Sequence, residues 1–307
     1  MPKSIFITGG SGFVGSAVIS ELSSRGFSVR ALVNNKPIDR SDVTSIRGDF
    51  FDPHSLDNAM RDCDAAIHLV GIIREDPARG QTFERIHYQA SVNVIDAAQR
   101  NGVKRFIHMS ALGARKESQS EYASTKARAE EVLSNSALDY TILRPSVIHG
   151  PRGEFMRMLA GWAMGKALPF VFMPYFGAGL LGQHSALLQP IFVDDCARAF
   201  VDAIDMPSLM NRSLELVGPD RFTWPQMYNI VSPMIRGYRK PTLGIPRWYA
   251  RLLTRVVPAR LLPFNKSQIV MAGENSVAEV SEMTRHFDWS PQSFETTVRA
   301  YAEQLRG

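Results

Sequence analysis

The chain has 307 residues, 45% of them hydrophobic and 21% charged, with a formal net charge of +5 and a pI near 9.3. That balance excludes a disordered chain and leaves ample apolar matter for a large core. Two cysteines, Cys63 and Cys196, exclude a disulfide framework, and seven scattered histidines argue against a metal centre. No apolar run reaches the ~20 residues needed to span a bilayer. Because the first strand starts almost at Met1, a cytoplasmic setting is expected.

Ile5-Phe6-Ile7 is a short apolar strand that runs straight into Thr8-Gly9-Gly10-Ser11-Gly12-Phe13-Val14-Gly15. A strand that turns this tightly into a helix is a site for a dinucleotide pyrophosphate. Phosphate oxygens must reach backbone N–H groups at the helix N-terminus, and side chains at Gly9 and Gly12 would block them. Gly15 acts differently, by letting the helix lie close against the strand, with Val14, Val18, Ile19 and Leu22 as its buried stripe.

Ser28 to Val33 alternates like a second strand, and Thr44 to Arg47 reads as a short third one ending at Gly48-Asp49. The continuous apolar run from Ala65 to Val70 suits a central parallel strand covered on both faces. A long helix follows, with Val92, Val94, Ile95, Ala97 and Ala98 as its apolar positions and Asn101-Gly102 as its stop. Lys104 to Met109 is a fifth strand, Tyr122 to Ser134 a helix, and Tyr140 to Leu143 a sixth strand stopped by Pro145. Strict alternation of this kind predicts an α/β fold: a Rossmann-type, doubly wound parallel sheet with a smaller, mostly helical C-terminal lobe.

Residues 1–150 are expected to form the dinucleotide-binding domain, completed by about 189–217, with 151–188 and 218–307 as a substrate or partner lobe. In the second part, Phe155 to Lys166 suggests a helix and Pro169 to Leu188 a loop. The chain is expected to return to the sheet at Pro190-Ile191-Phe192-Val193. There Asp194 or Asp195 would cap a helix from Cys196 to Ile204, and Ser213 to Val217 would add a last strand.

Tyr122 and Lys126 stand four apart on a predicted helix, so both side chains leave one face. An ammonium beside a phenol favours the phenolate and lowers its pKa, which suits Tyr122 to general acid/base work. Such a pair alone is more often an exposed helix face. Its order after the glycine turn and the strands is what brings it to the C-terminal edge of the sheet, where ligands of such folds bind.

With these motifs, together with Gly102-Val103-Lys104-Arg105-Phe106-Ile107, Arg144-Pro145-Ser146-Val147 and Gln189-Pro190-Ile191-Phe192-Val193-Asp194-Asp195, the chain resembles the extended short-chain dehydrogenase/reductases. Within them it is most similar to the branch holding the NADPH-binding accessory subunit of respiratory complex I, through Ile107-His108-Met109-Ser110-Ala111-Leu112, Leu216-Val217-Gly218-Pro219 and Arg247-Trp248-Tyr249-Ala250-Arg251. The resemblance implies that Gly9, Gly12, Phe13 and Val14 surround the pyrophosphate, and that Asp49 and Phe50 flank the adenine. Leu69, Val70 and Gly71 would line the path to the nicotinamide ribose, which Lys126 would hold. Tyr122 would handle the proton, and the backbone after Pro145, at Val147, would meet the carboxamide.

Three positions depart from the family pattern. The catalytic hydroxyl expected at the second position of a Ser-Ser pair is replaced by Ala111, leaving Ser110 one step early. His87 stands where asparagine is common. At the end of the second strand, Val33-Asn34-Asn35-Lys36 has no acid to bind a ribose diol, so NADP(H) is favoured over NAD(H), with Lys36 and Asn34 or Ser11 on the 2′-phosphate. The implied activity is hydride exchange with a small-molecule substrate. Ala111 supports a non-catalytic NADPH-binding scaffold instead, and arginines near 236–251 leave a nucleotide-sugar epimerase open.

No nucleic-acid partner is expected. No acid occurs between Asp220 and Glu274, and basic residues crowd the stretch from 236 to 266. There Arg247, Arg251 and Arg255 fall on one helical stripe with Trp248, Leu252 and Val256 nearby. This reads first as an amphipathic lobe helix with a solvated basic face, and second as a surface for a membrane or an acidic protein.

Overall fold

Short apolar runs alternate with amphipathic ones through the first half of the chain, and the computed structural model, which describes residues 3–34, 37–257 and 266–306, shows the alternation as βα units. In order they are β1 (Ser4–Thr8), α1 (Phe13–Ser24), β2 (Ser28–Val33), β3 (Val43–Arg47), α2 (Pro53–Met60), β4 (Ala65–His68), α3 (Ala90–Arg100), β5 (Arg105–Met109), α4 (Glu121–Ser134) and β6 (Asp139–Pro145). Then come β7 (Ile148–His149), α5 (Glu154–Met164), β8 (Met173–Ala178), β9 (His184–Ser185), β10 (Leu187–Leu188), β11 (Ile191–Phe192), α6 (Val193–Asp202) and β12 (Arg212–Leu216). The rest comprises β13 (Phe222–Thr223), α7 (Trp224–Arg236), β14 (Thr242–Pro246), α8 (Arg247–Val256), α9 (Lys266–Met271), α10 (Val280–Thr284) and α11 (Phe294–Tyr301).

The chain divides into two units. The first, Met1–Pro145 with Val193–Leu216 and Ser281–Trp289, holds a seven-stranded sheet of order β12-β6-β5-β4-β1-β2-β3, every pair parallel. This is a Rossmann-type doubly wound sheet: α1 packs with α6, while α2, α3 and α4 pack in a row. Phe6, Leu56, Ala66, Val94, Phe106 and Leu133 form part of its core. Arg105 is also buried there. Burial lowers its pKa to about 10, and its guanidinium is satisfied by the carbonyls of Asp139 and Ala203 and the Thr141 hydroxyl.

The second unit, Ser146–Phe192 with Val217–Val280 and Ser290–Gly307, is helical with small sheets, and its core gathers Met156, Leu159, Met173, Trp224, Tyr228 and Phe294. Around it several local expectations change. The loop expected over Pro169–Leu188 contains β8, which pairs in parallel with β14 and antiparallel with β9. Glycines allow it: a Cβ on Gly177 or Gly244 would lie 1.9 or 2.1 Å from the Gly182 carbonyl oxygen, so the three backbones pack in direct contact. Ile191–Phe192 pairs with β7 in a separate two-stranded sheet and does not rejoin the central one. Finally, α6 begins at Val193, which places Asp194 and Asp195 inside its first turn, where they complement the helix dipole.

In the first unit, β4 ends at His68, two residues short of the expected Val70. The long helix opens as a π-helical turn, Glu84–Gln89, before α3. Among the described residues, no helix is long and apolar enough to cross a membrane, and no group of three or more His, Cys, Asp or Glu side chains could hold a metal ion.

Candidate functional site

The turn between β1 and α1 is built on backbone contact. Gly9 adopts φ +75°, and a Cβ there would meet the Leu69 carbonyl carbon at 3.1 Å and the Val70 nitrogen at 3.2 Å. The Gly12 N–H donates to the Gly9 carbonyl at 3.0 Å, and Gly12 caps α1 in extended conformation with no side-chain hydrogen bond. A Cβ on Gly15 would sit 2.1 Å from the same Gly9 oxygen. The first-turn amides of α1 therefore face the turn with neither a capping side chain nor an acid in that turn, a cradle that fits an anionic pyrophosphate. Ser11 and Gly12 are exposed, Phe13 is half-buried, and Val14 is packed into the core, leaving its backbone as the group available to a ligand.

Along the same strand ends, Asn34 is exposed just after β2, and Lys36 lies outside the described residues. Asp49 folds its carboxylate back to accept the Phe51 N–H at 2.9 Å, and the Phe50 carbonyl accepts from Asn93 Nδ2 at 3.1 Å. These bonds set the shape of the loop after β3.

Lys126, on α4, is 2% exposed. Its Nζ donates to the carbonyls of Met109 at 2.9 Å and Val70 at 3.4 Å, and a Cβ on Gly71 would stand 3.3 Å from it. Gly9, Leu69, Val70, Gly71 and Lys126 are thus brought together across the ends of β1, β4 and β5. Burial pushes the ammonium down to about 8, against the opposing pull of Glu130. Tyr122 lies one turn earlier, edge-on to the rings of His87 at 5.0 Å and Phe83 at 5.8 Å.

The phenol departs from the expectation. Its pKa is pushed up to about 12 by desolvation, because the Lys126 ammonium is turned onto main-chain carbonyls while aromatic rings flank Tyr122. Ser110 is buried, its N–H donates to the Leu143 carbonyl at 2.9 Å, and its Oγ has no hydrogen-bond partner among the described residues. The Pro145 carbonyl accepts from the Leu112 N–H at 2.9 Å, whereas Val147 lies in the second unit, its carbonyl taken by the Ile191 N–H at 3.0 Å.

Three buried histidines lie beside Lys126, and of these sequence reasoning singles out only His87. His68 Nδ1 lies 2.6 Å from Thr8 Oγ1 and its Nε2 3.1 Å from Ser91 Oγ, while its ring stacks on His108, its register partner on β5. His87 Nδ1 is 3.2 Å from Thr125 Oγ1, and its Nε2 is 2.9 Å from the Ile72 carbonyl oxygen. Burial, with the Lys126 charge as the next cause, drives His68 to about 3 and His87 to about 2, and holds His108 well below its usual value. A histidine ending an otherwise apolar strand, as in Ala65-Ala66-Ile67-His68, was the available signal.

The sign of the pH effect follows. Below the ordinary imidazole pKa the unfolded chain takes up protons that the folded chain refuses, so stability is lost as pH falls from about 6.5 toward 3. By pH 5 the loss at His68 amounts to roughly 2 kcal/mol. Urea unfolding at pH 7 and pH 5 should show that much less acid sensitivity in His68→Asn; equal sensitivity in both chains would refute a neutral buried imidazole.

Comparison with known proteins agrees with this geometry. Residues 9–158 match the family model described as NAD(P)H-binding. The chain is 31% identical over 271 residues to the mitochondrial NADH dehydrogenase (ubiquinone) 1 alpha subcomplex subunit 9 of Arabidopsis thaliana, covering 84% of this chain and 64% of that one. It therefore spans a little under two thirds of the plant relative's length. It is 29% identical over 250 residues to a ceramide reductase of Caulobacter vibrioides, covering 78% and 74% of the two chains. In fold it matches the solved structure of MoeE5 in complex with UDP-glucose and NAD, with a TM-score of 0.75 at 17% identity over 99% and 98% of the chains.

The fold and the glycine cradle define a Rossmann-type NAD(P)-binding protein. More particularly, residues 9–158 carry an NAD(P)H-binding family domain, and the chain is similar in sequence to the plant complex I subunit and the bacterial ceramide reductase.

Proposed function

We propose that the chain is an NADP(H)-dependent reductase of a small-molecule carbonyl. The observation that carries this reading is the convergence of two features: Gly9 lies against Leu69-Val70, and the Val70 carbonyl lies against Lys126 Nζ. One groove edge thus joins a phosphate cradle to a buried cation. When bound, the nicotinamide supplies the hydride.

The chain's own residues do the rest. First-turn amides of α1 hold the pyrophosphate, Gly71 leaves space before Lys126, and Lys126 holds the ribose. A phenol near pKa 12 is fully protonated at neutral pH, so Tyr122 is set to donate its proton to a carbonyl oxygen, the reducing direction. With Asn34 and Ser11 exposed and no acid at the end of β2, a 2′-phosphate meets no repulsion there. We assign substrate recognition to the second unit and a reducing, cytoplasmic setting to the chain, whose two cysteines are buried free thiols. The ceramide reductase named among the relatives supports a reductase. The complex I subunit and Ala111 favour the second reading, a scaffold that holds NADPH without turnover.

The test combines binding and turnover. Calorimetry should show NADPH bound at least about tenfold more tightly than NADH, since an ion pair or charge-assisted bond to the 2′-phosphate contributes of order 1.5–3 kcal/mol. Tyr122→Phe should lower NADPH-dependent carbonyl reduction by about 10²–10⁴-fold and leave NADPH binding within a few-fold. Tight NADPH retention without oxidation by any aldehyde, ketone or quinone would select the scaffold. Interconversion of a nucleotide sugar with no net change in the cofactor would select the epimerase.

A further inference from the structure

A helix that merely covers a lobe turns its apolar stripe inward. The reverse holds in α8, which buries Ala250 while Trp248, Leu252 and Val256, at successive i, i+4 positions, are 55%, 47% and 67% exposed. Beside that stripe stand the exposed Arg251 and Arg255. The turn between β8 and β9 adds Leu180 and Leu181, 75% and 76% exposed, and Trp248 Nε1 donates to the Leu180 carbonyl at 3.3 Å. Gly182, at φ +68°, packs against the backbone from Gly244 to Pro246, so the tip is fixed beside the start of α8. Two leucines that stand out this far sit on a projecting tip, where they present apolar ends rather than line a groove.

We propose that this face of α8, with the Leu180-Leu181 tip, docks on an anionic lipid bilayer. Exposed apolar side chains flanked by arginines and an indole are the composition of an interfacial helix: the apolar ends enter the acyl boundary, Trp248 lies at headgroup level, and the guanidiniums meet lipid phosphates. Charge complementarity selects the sign, because no acid occurs between Asp220 and Glu274 to oppose a negative surface. The proposal is independent of the dinucleotide site.

Cosedimentation of the full chain with vesicles tests it. Phosphatidylcholine vesicles containing phosphatidylserine should retain at least about tenfold more protein than phosphatidylcholine alone, and about 0.5 M salt should weaken the retention. The double variants Leu180→Asp/Leu181→Asp and Arg251→Glu/Arg255→Glu should each lose about tenfold while keeping the native circular-dichroism spectrum and a cooperative thermal melt, which certify their fold. Quenching of tryptophan fluorescence by brominated acyl chains needs no variant and should occur with anionic vesicles. Equal retention on both vesicle types, retention unchanged in the leucine variant, or a dimer in sedimentation velocity that the same substitutions abolish would each overturn the assignment, the last by naming a second copy as the occupant.

Discussion

Gly15→Val is expected to abolish dinucleotide binding and to lower the stability of the chain by about 3 kcal/mol, the upper end of ordinary overpacking. The Cβ it introduces would lie 2.1 Å from the Gly9 carbonyl oxygen and 2.7 Å from Gly10 Cα. Both are backbone atoms, so no side-chain rotation relieves the contact. The turn must open, which pulls the Gly9 carbonyl from the Gly12 N–H it accepts at 3.0 Å and turns the α1 amides out of line. Gly102→Ala is the control: φ there is +68°, yet a Cβ meets nothing within 4 Å. That variant should lose about 1 kcal/mol through backbone strain and bind NADPH as the native chain does. Thermal melts with and without NADPH, alongside calorimetry, separate the two. A Gly15→Val chain that melts normally and binds NADPH would show that the turn does not form the cradle.

Lys126→Met is expected to abolish turnover yet leave stability at pH 7 nearly unchanged. Two terms oppose each other. The buried ammonium titrates near 8, whereas in the unfolded chain it titrates near its ordinary 10.5. Between those values the unfolded chain holds the extra proton, so native stability rises as pH climbs from about 8 to 10.5, and the full penalty, about 3 kcal/mol, applies below 8. Methionine removes that penalty. It also leaves the Met109 and Val70 carbonyls without their donor, at about 1–3 kcal/mol. Near-cancellation at neutral pH should therefore accompany loss of the alkaline rise, read by urea unfolding at pH 7 and pH 10, while activity falls by about 10²–10⁴-fold. An unaltered alkaline rise in the variant would mean that some other group causes it.

These two sites differ in how far they could be read in advance. The glycine turn was legible because its requirements are local: strand, left-handed Gly9 and a helix starting after Gly12 are all satisfied within a dozen residues of chain. For the same reason β1, β2, β3, β5 and β6, with α4 and α5, lie where the apolar periodicity places them, within a residue or two at their ends, and α1 starts where the glycine turn places it. The Tyr122–Lys126 spacing was equally local. Its electrostatics were not, because the carbonyls that claim the ammonium come from Met109, at the end of β5, and Val70, just past β4.

Non-local partners account for the remaining surprises. β8 is a strand because Thr242–Pro246 arrives beside it and three glycines let the backbones touch, a pairing invisible in a Gly- and Pro-rich segment taken alone. His68 and His108 meet because β4 and β5 are neighbours in register. The amphipathic pattern of α8 was plain, but periodicity states that a helix has an apolar side and is silent on which side faces water. That choice belongs to packing, and here the packing turns Ala250 inward and Trp248, Leu252 and Val256 outward. Turn geometry and element type are thus written in neighbouring residues. Burial, protonation and surface are set by whatever the folded chain brings alongside, since desolvation and contact depend on distance in space rather than along the backbone.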